Sequence, residues 1–207
     1  MSKKKIALIE LHYLPPISYF YLFQNFEEVQ IEACENYQKN SFRNRCLIAT
    51  ANGVHTLSVP LRKGKNAQQN IREVQIANET DWQRQTWENL KTAYGSSPYW
   101  IFYADRFEAH FKKTYTHLFD FNFDLLQTVL SILKKEIITE VSLSETYIPK
   151  TKLESVAKKI SDFRNTITPK NYFEHEIKKY PQVFSDRIGF MPNLSVLDAI
   201  FCRNSIY

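Results

Sequence analysis

Glycine is nearly missing from this sequence: 4 residues in 207. That excludes glycine-rich phosphate loops, and neither GxGxxG nor GxxxxGK[ST] occurs. Cysteine is also scarce. Cys34, Cys46 and Cys202 are an odd number with no CxxC spacing. They fit reduced thiols in a cytoplasmic protein, and fit neither a disulfide framework nor a zinc site. Among 5 histidines there is no HxxxH or HExxH pair, so neither a metal nor a cofactor is expected. No GxSxG elbow is present. No apolar run approaches the 18 residues that suggest a membrane span. The apolar stretch after the basic start is broken by Glu10 and His12, with no small-residue cleavage site behind it. It reads as a buried strand rather than a signal peptide.

Acid is absent where it matters most. From Asn36 to Arg72 there is no Asp or Glu, but there are seven cations: Lys39, Arg43, Arg45, Arg62, Lys63, Lys65 and Arg72. The whole chain carries only +5, so the remainder is slightly acidic. The densest part is NYQKNSFRNR, residues 36–45. A solvated face is the ordinary reading of a charge run. Here the complete lack of acids favours an anion-holding surface. Nucleic acid is the usual partner of a basic patch, yet no nucleic-acid motif is present and the rest of the chain is not basic. A nucleotide sugar or another phosphate-bearing small molecule fits better.

What is present is a globular composition, 43% hydrophobic and 24% charged, with 14% aromatic residues. The length suits one domain. It divides into a sheet-rich part (1–78), a helical part (79–135), and a strand, a variable segment and a C-terminal helix (136–207). Ile6 to Leu11 reads as a strand, residues 17–24 as a short helix, and Val29 to Ala33 as a second strand. This is a βαβ unit, which is parallel and right-handed almost without exception. Asn52-Gly53 between two β-rich runs signals a hairpin, with Pro60 taking its second arm out of the ladder. Arg72 to Ala77 reads as a further strand. Thr80 and Gln83 form a capping box ahead of a helix over Trp82 to Tyr94. Ser97-Pro98 opens a second helix, lined by Trp100, Ala104, Phe107 and Phe111. A third runs from Phe123 to Lys135, and EIITEVSLS is a strand candidate. Residues 150–180 read as an amphipathic helix or a loose linker. Ser195 and Asp198 form a capping box before the last helix. The expected class is α/β: a mixed sheet starting with a parallel βαβ unit, plus an antiparallel hairpin, flanked by helices. A nucleotidylyltransferase-like arrangement is an analogy at the level of the fold.

The loops after the first two strands lie at the carboxyl ends of a parallel sheet, where such sheets bind ligands. Residues 36–45 should therefore face HYLPPISYF across a crevice. Arg43 and Arg45 offer planar forks for phosphate, and Lys39 a point charge. Asn40 and Asn44 add neutral hydrogen bonds, while Tyr13, Tyr19 and Tyr37 supply flat walls. Arg62, Lys63 and Lys65 could close over the ligand. His12 is the histidine placed to act as a general base. Tyr19 has a competing reading as core, Arg45 as the partner of an acid, and Ser195 with Asp198 as a cap.

The ordered set HYLPPISYF, YQKNSFRNRCLI, ANGVHTLSVPLRK, WQRQTWENLKTAYGSSPYW and GFMPNLSVLD resembles the WbqC-like proteins, from about Leu8 to Phe201. That resemblance implies a setting in bacterial surface-polysaccharide and O-antigen assembly, with transfer of an amino-acid or acyl group to or from an activated sugar. The alternative is a non-catalytic binding partner in the same pathway. The family pattern maps onto Tyr13, Leu14, Pro15, Tyr19, Phe20, Tyr37, Lys39, Asn44, Arg45, Pro60, Ser195 and Asp198. Where many members carry His-Gln-Pro after the first strand, this chain has Ile9, Glu10 and Leu11. Thr86 stands where a helix histidine is common. If those histidines catalyse, either this chain is impaired or His12 takes over their part.

Overall fold

The computed structural model describes residues 5–63, 69–134, 136–137, 139–153 and 160–206. β1 (Ile6–Glu10) is apolar until its last residue and is buried on both faces, as an inner strand of a parallel sheet must be. A 3-10 turn (Ile17–Tyr21) and a single turn of helix, α1 (Leu22–Asn25), lead to β2 (Glu28–Glu32). β1 and β2 pair in parallel, Ile6 opposite Glu28 and Glu10 opposite Glu32. This is the βαβ unit that the sequence pattern predicts.

β3 (Arg45–Thr50) and β4 (Gly53–Ser58) form the antiparallel hairpin, which is a two-stranded sheet of its own. β4 stops before Pro60. The turn differs from the Asn-Gly expectation. Thr50 pairs with Gly53, so Ala51 and Asn52 are the loop residues. Gly53 has φ 107°, while Asn52 is not among the residues with positive φ. The Thr50 hydroxyl donates to the Gly53 carbonyl at 2.8 Å and accepts from Asn52 N–H at 3.3 Å.

Residues 72–77 are not a strand. Ile71–Glu73 is a 3-10 turn capped by Asn70, whose side chain accepts from Arg72 N–H at 2.9 Å. Beyond it the backbone makes only isolated bridges, Ile76 to Leu61 and Gln75 to His117.

Three helices follow: α2 (Trp82–Tyr94), α3 (Trp100–Lys112) and α4 (Leu118–Ile132). The Thr80–Gln83 capping box does not form. Asp81 is the N-cap residue, and Gln83 instead donates to the Lys113 carbonyl at 2.7 Å. α4 begins five residues before the expected start, because Leu118, Phe119 and Phe121 are buried and extend the inner face. The aromatic content is spent here. Trp87 stacks on Trp100 (5.2 Å between centroids) and Phe111 (5.7 Å), and Trp100 meets Phe201 at 4.9 Å.

The chain returns to the sheet through β5 (Glu140–Leu143), one turn of helix, α5 (Lys150–Leu153), and β6 (Ile160–Asp162). β6 lies in the stretch read from the sequence as a helix or linker. The four strands are all parallel, in the order β5-β2-β1-β6. Numbered as the chain makes them, that order is 3-2-1-4, the beginning of the doubly wound pattern. The order reverses between β1 and β6.

After α6 (Ser185–Ile188), α7 (Val196–Arg203) packs under the hairpin and the first loop. Ser195 N–H donates to the Leu47 carbonyl and Val196 N–H to the Pro15 carbonyl, both at 2.8 Å. Ser195 caps α7 as expected, through Leu197 N–H. Asp198 does not complete a capping box. It is fully buried and accepts from the Tyr180 hydroxyl at 2.5 Å and Gln182 Nε2 at 2.8 Å.

Candidate functional site

The carboxyl ends of β1, β2 and β6 bring Glu10, Glu32 and Asp162 to one edge of the sheet. Each is the last residue of its strand. The residues just beyond supply the partners. His12 Nε2 lies 2.9 Å from Glu10 Oε1, and Asn165 N–H donates to Glu10 Oε2 at 2.9 Å. Arg43 donates from Nε and Nη2 to the two oxygens of Glu35, each at 2.6 Å, and from Nη2 to Asn165 Oδ1 at 3.1 Å. Its Nη1 stands 3.9 Å from Glu10 Oε1. Arg164 makes a second cluster beside the first. It donates to Asp162 from Nε and Nη2 (2.8 and 2.9 Å), to Glu32 Oε2 from Nη1 (2.9 Å) and to the Ile148 carbonyl (2.9 Å). Glu32 also accepts from Cys34 N–H and the Ser144 hydroxyl.

The electrostatics follow from that geometry. Burial raises the Glu10 carboxyl, but the His12 ring, Arg43 and the Asn165 N–H outweigh it and hold it down to about 2. Glu10 is therefore a carboxylate, and it accepts from His12 Nε2–H. That fixes the ring tautomer and leaves Nδ1 as the basic nitrogen. Nδ1 is buried and has no hydrogen-bond partner, and the same holds for Arg43 Nη1. Buried polar atoms are paired with few exceptions, so two at one strand end call for a reason. Burial works against the Arg43 charge, but the bonds to Glu35 and the field of Glu10 raise its pKa. Burial lifts the Glu35 carboxyl above its ordinary value against the pull of Arg43.

Three site loops carry residues in the left-handed region: Leu14 (φ 42°), Asn40 (φ 55°) and Asn165 (φ 62°). Asn tolerates this conformation, whereas Leu pays for it in strain. Such outliers persist where the surroundings over-determine the backbone.

The two loops expected to face each other across a crevice pack directly together. Tyr13 N–H donates to the Phe42 carbonyl at 2.8 Å, and the His12 ring lies between Tyr19 (5.1 Å) and Phe42 (5.6 Å). The open space is on the other side of the 34–38 segment. There a cavity of about 420 Å³ lies between that segment and the residues after β5 and β6, with Glu35, Tyr37, Tyr147, Lys150, Arg164 and Asn165 in its wall.

The candidate residues thus separate. His12 and Arg43 are gathered on Glu10, and both are fully buried. Tyr37 lines the cavity and donates to Asn44 Oδ1 at 2.9 Å, while Asn44 Nδ2 holds the Val59 carbonyl at 3.0 Å. Tyr13 is core, stacked on Phe121. Tyr19 is core as well, with its hydroxyl on the Glu10 carbonyl at 3.0 Å. Lys39 and Asn40 are exposed, and Arg45 is half-buried at the start of β3. Arg62 and Lys63 line a separate depression with Glu79, 3.5 Å from Arg62. Lys65 lies outside the described residues. Glu10, Glu35, Arg164, Asn165 and Lys150 were not anticipated. Glu10 had a signal, since it is an acid closing an apolar strand. Arg164 and Asn165 had none without β6. Among the described residues, no group of three or more His, Cys, Asp or Glu could hold a metal ion, and no helix is long and apolar enough to cross a membrane.

Comparison with known proteins agrees with the motif resemblance. Residues 11–168 match the WbqC-like protein family, and the chain belongs to that family. It is 30% identical over 131 residues to Rv1507c, an uncharacterised protein of Mycobacterium tuberculosis. The alignment takes in 63% of this chain and 56% of that protein, so the chain spans about half the length of the relative it matches. No solved structure matches it.

Proposed function

We propose that this member of the WbqC-like family is a transferase of bacterial surface-polysaccharide assembly, moving an amino-acid or acyl group to or from an activated, phosphate-bearing sugar. The observation that carries the reading is the Glu10–His12 pair at the point where the strand order reverses. Glu10 holds Nε2–H and leaves Nδ1 without a partner. An acid that orients a histidine whose other nitrogen is free is the arrangement of a general base. His12 would take the proton from the attacking hydroxyl or amine, and Glu10 would position it. The ring is 1% exposed, so the reading requires Nδ1 to become accessible when ligand binds. The Arg43 fork is taken by Glu35, so the phosphate falls to Lys150, exposed at the cavity wall, and to the amides of Asn36 and Gln38.

Melting of the protein with inorganic phosphate, nucleotides and nucleotide sugars tests this, because a ligand of the native state raises the midpoint. A nucleotide sugar should raise it, and Lys150→Ala should weaken the effect. His12→Gln should keep the shift but abolish transfer from a labelled donor. No shift with any nucleotide sugar would sink the reading.

A second reading, a non-catalytic binding protein of the same pathway, draws on the burial of His12 and on Ile101 and Phe102. These two stand 81% and 67% exposed on α3. Turnover that survives His12→Gln unchanged would remove His12 as the base. Binding without turnover in the wild type would favour this second reading.

A further inference from the structure

The segment after β6 has two sides. Arg164 and Asn165 line the sheet-end cavity, whereas Phe163, Thr166 and Ile167 line a second one of about 380 Å³. Tyr21 and Leu22, from the β1–β2 connection, complete the apolar wall of the second cavity. Five residues of backbone thus partition two spaces of opposite character. The first is walled by charges and amides, the second by aliphatic and aromatic carbon.

The few polar groups in the second cavity are mostly committed to the protein. The Thr166 hydroxyl donates to the Phe163 carbonyl at 2.7 Å, and Ser18 Oγ accepts from Asn193 Nδ2 at 2.8 Å. His175 and Glu176 stand open to a ligand. The half-buried His175 ring has no hydrogen-bond partner among the described residues, and the exposed Glu176 stands beside it. A mostly apolar cavity with a small number of free polar groups at one place is the usual make-up of a small-molecule site.

We infer that this cavity binds the alkyl chain of a neutral amphiphile, its hydroxyl or amide head set against His175 and Glu176. The Glu176 carboxylate repels an anionic head, so the ligand is an alcohol or amide rather than a fatty acid.

A series of linear alkanols from butanol to dodecanol, titrated by calorimetry into the full chain, tests the inference. Each methylene buried should tighten binding roughly fourfold. The gain should stop once the chain fills the cavity. Alkanoates of matching length should bind roughly 5-fold more weakly. Leu22→Trp, which places an indole in the cavity, should abolish octanol binding. Lys150→Ala, in the other cavity, should leave it unchanged, so that failure here is distinct from failure of the proposed transferase. Nuclear magnetic resonance gives a readout independent of any variant's folding: octanol should shift signals of Phe163 and Ile167 and not those of Tyr37. Affinity independent of chain length would overturn the inference. So would affinity still rising at dodecanol, or octanol shifts centred elsewhere.

Discussion

Arg43 and Glu35 meet fork to fork: Nε and Nη2 each lie 2.6 Å from one oxygen of the same carboxylate, eight residues back in the chain. The most buried cation of the basic stretch is thereby neutralised by the last acid before it. Removing one partner leaves the other as an unpaired, largely desolvated charge, which costs about 3–5 kcal/mol. Arg43→Ala and Glu35→Ala should each lose about that much in urea denaturation. The double replacement by Met should lose much less, because no charge remains to desolvate. Arg43→Lys should not rescue, since an ammonium cannot span both oxygens. Additive single and double losses would mean that the pair does not act as a unit.

The Glu10 carboxylate links stability to acid. Its folded pKa is held down to about 2 from an ordinary 4.5, by His12, Arg43 and the Asn165 N–H acting against burial. A depressed acid stabilises the fold fully above its unfolded value and loses that contribution as pH falls through its folded one. The window is therefore from about pH 4.5 to about pH 2, and the contribution is about 3 kcal/mol. Unfolding free energies measured across that window should fall more steeply for wild type than for Glu10→Gln. Parallel curves would show that Glu10 is not held down.

How much of this was legible depended on whether the signal was local. β1 and β2 were, because an apolar run, a helical turn and a second β-rich run define a βαβ unit with nothing distant involved. The ends of those strands put the His12 loop and residues 36–45 beside one another, though in direct contact and not across a crevice. β6 was not legible: Ile160–Asp162 is three residues long and pairs with Ile6–Leu8 from the far end of the chain. With β6 hidden, Arg164 and Asn165 were hidden too, and so was the cavity they line. The same distance effect explains Arg43. Absence of acid over 36–72 suggested a free cation, but its partner Glu35 stands one residue outside that window. At Thr80 and Gln83 the local pattern was present and lost to a tertiary contact, the Lys113 carbonyl.

Asn165 does two separable things at the reversal of strand order. Its backbone takes φ 62°, and its side chain accepts from Arg43 Nη2 at 3.1 Å. Asn165→Gly keeps the turn and loses the bond, a cost of about 1.5–3 kcal/mol for a charged donor. Asn165→Ala loses the bond and adds about 1–2 kcal/mol for a Cβ in the left-handed region. The alanine variant should therefore be the less stable of the two by chemical denaturation. Equal losses would place the whole effect in the side chain.

Asp198 offers the opposite sign of linkage. Burial raises its carboxyl, against the hydrogen bonds of Tyr180 and Gln182. Its Oδ2 accepts from both, and its Oδ1 is buried without a partner. A raised acid favours the protonated form in the fold, so its contribution is present at low pH and is lost as pH rises through the folded value. Asp198→Asn keeps an oxygen for both donors and cannot ionise. It should cost less than about 1 kcal/mol at pH 4 and become relatively more stable than wild type as pH rises. Asp198→Ala strands the Tyr180 hydroxyl and the Gln182 amide in the core, and should cost about 2–4 kcal/mol at pH 4 and less as pH rises, since it too cannot ionise. Thermal melting of the three proteins from pH 4 to pH 8 separates the cases. An asparagine variant as unstable as the alanine variant would show that the charge itself holds Tyr180 and Gln182 in place.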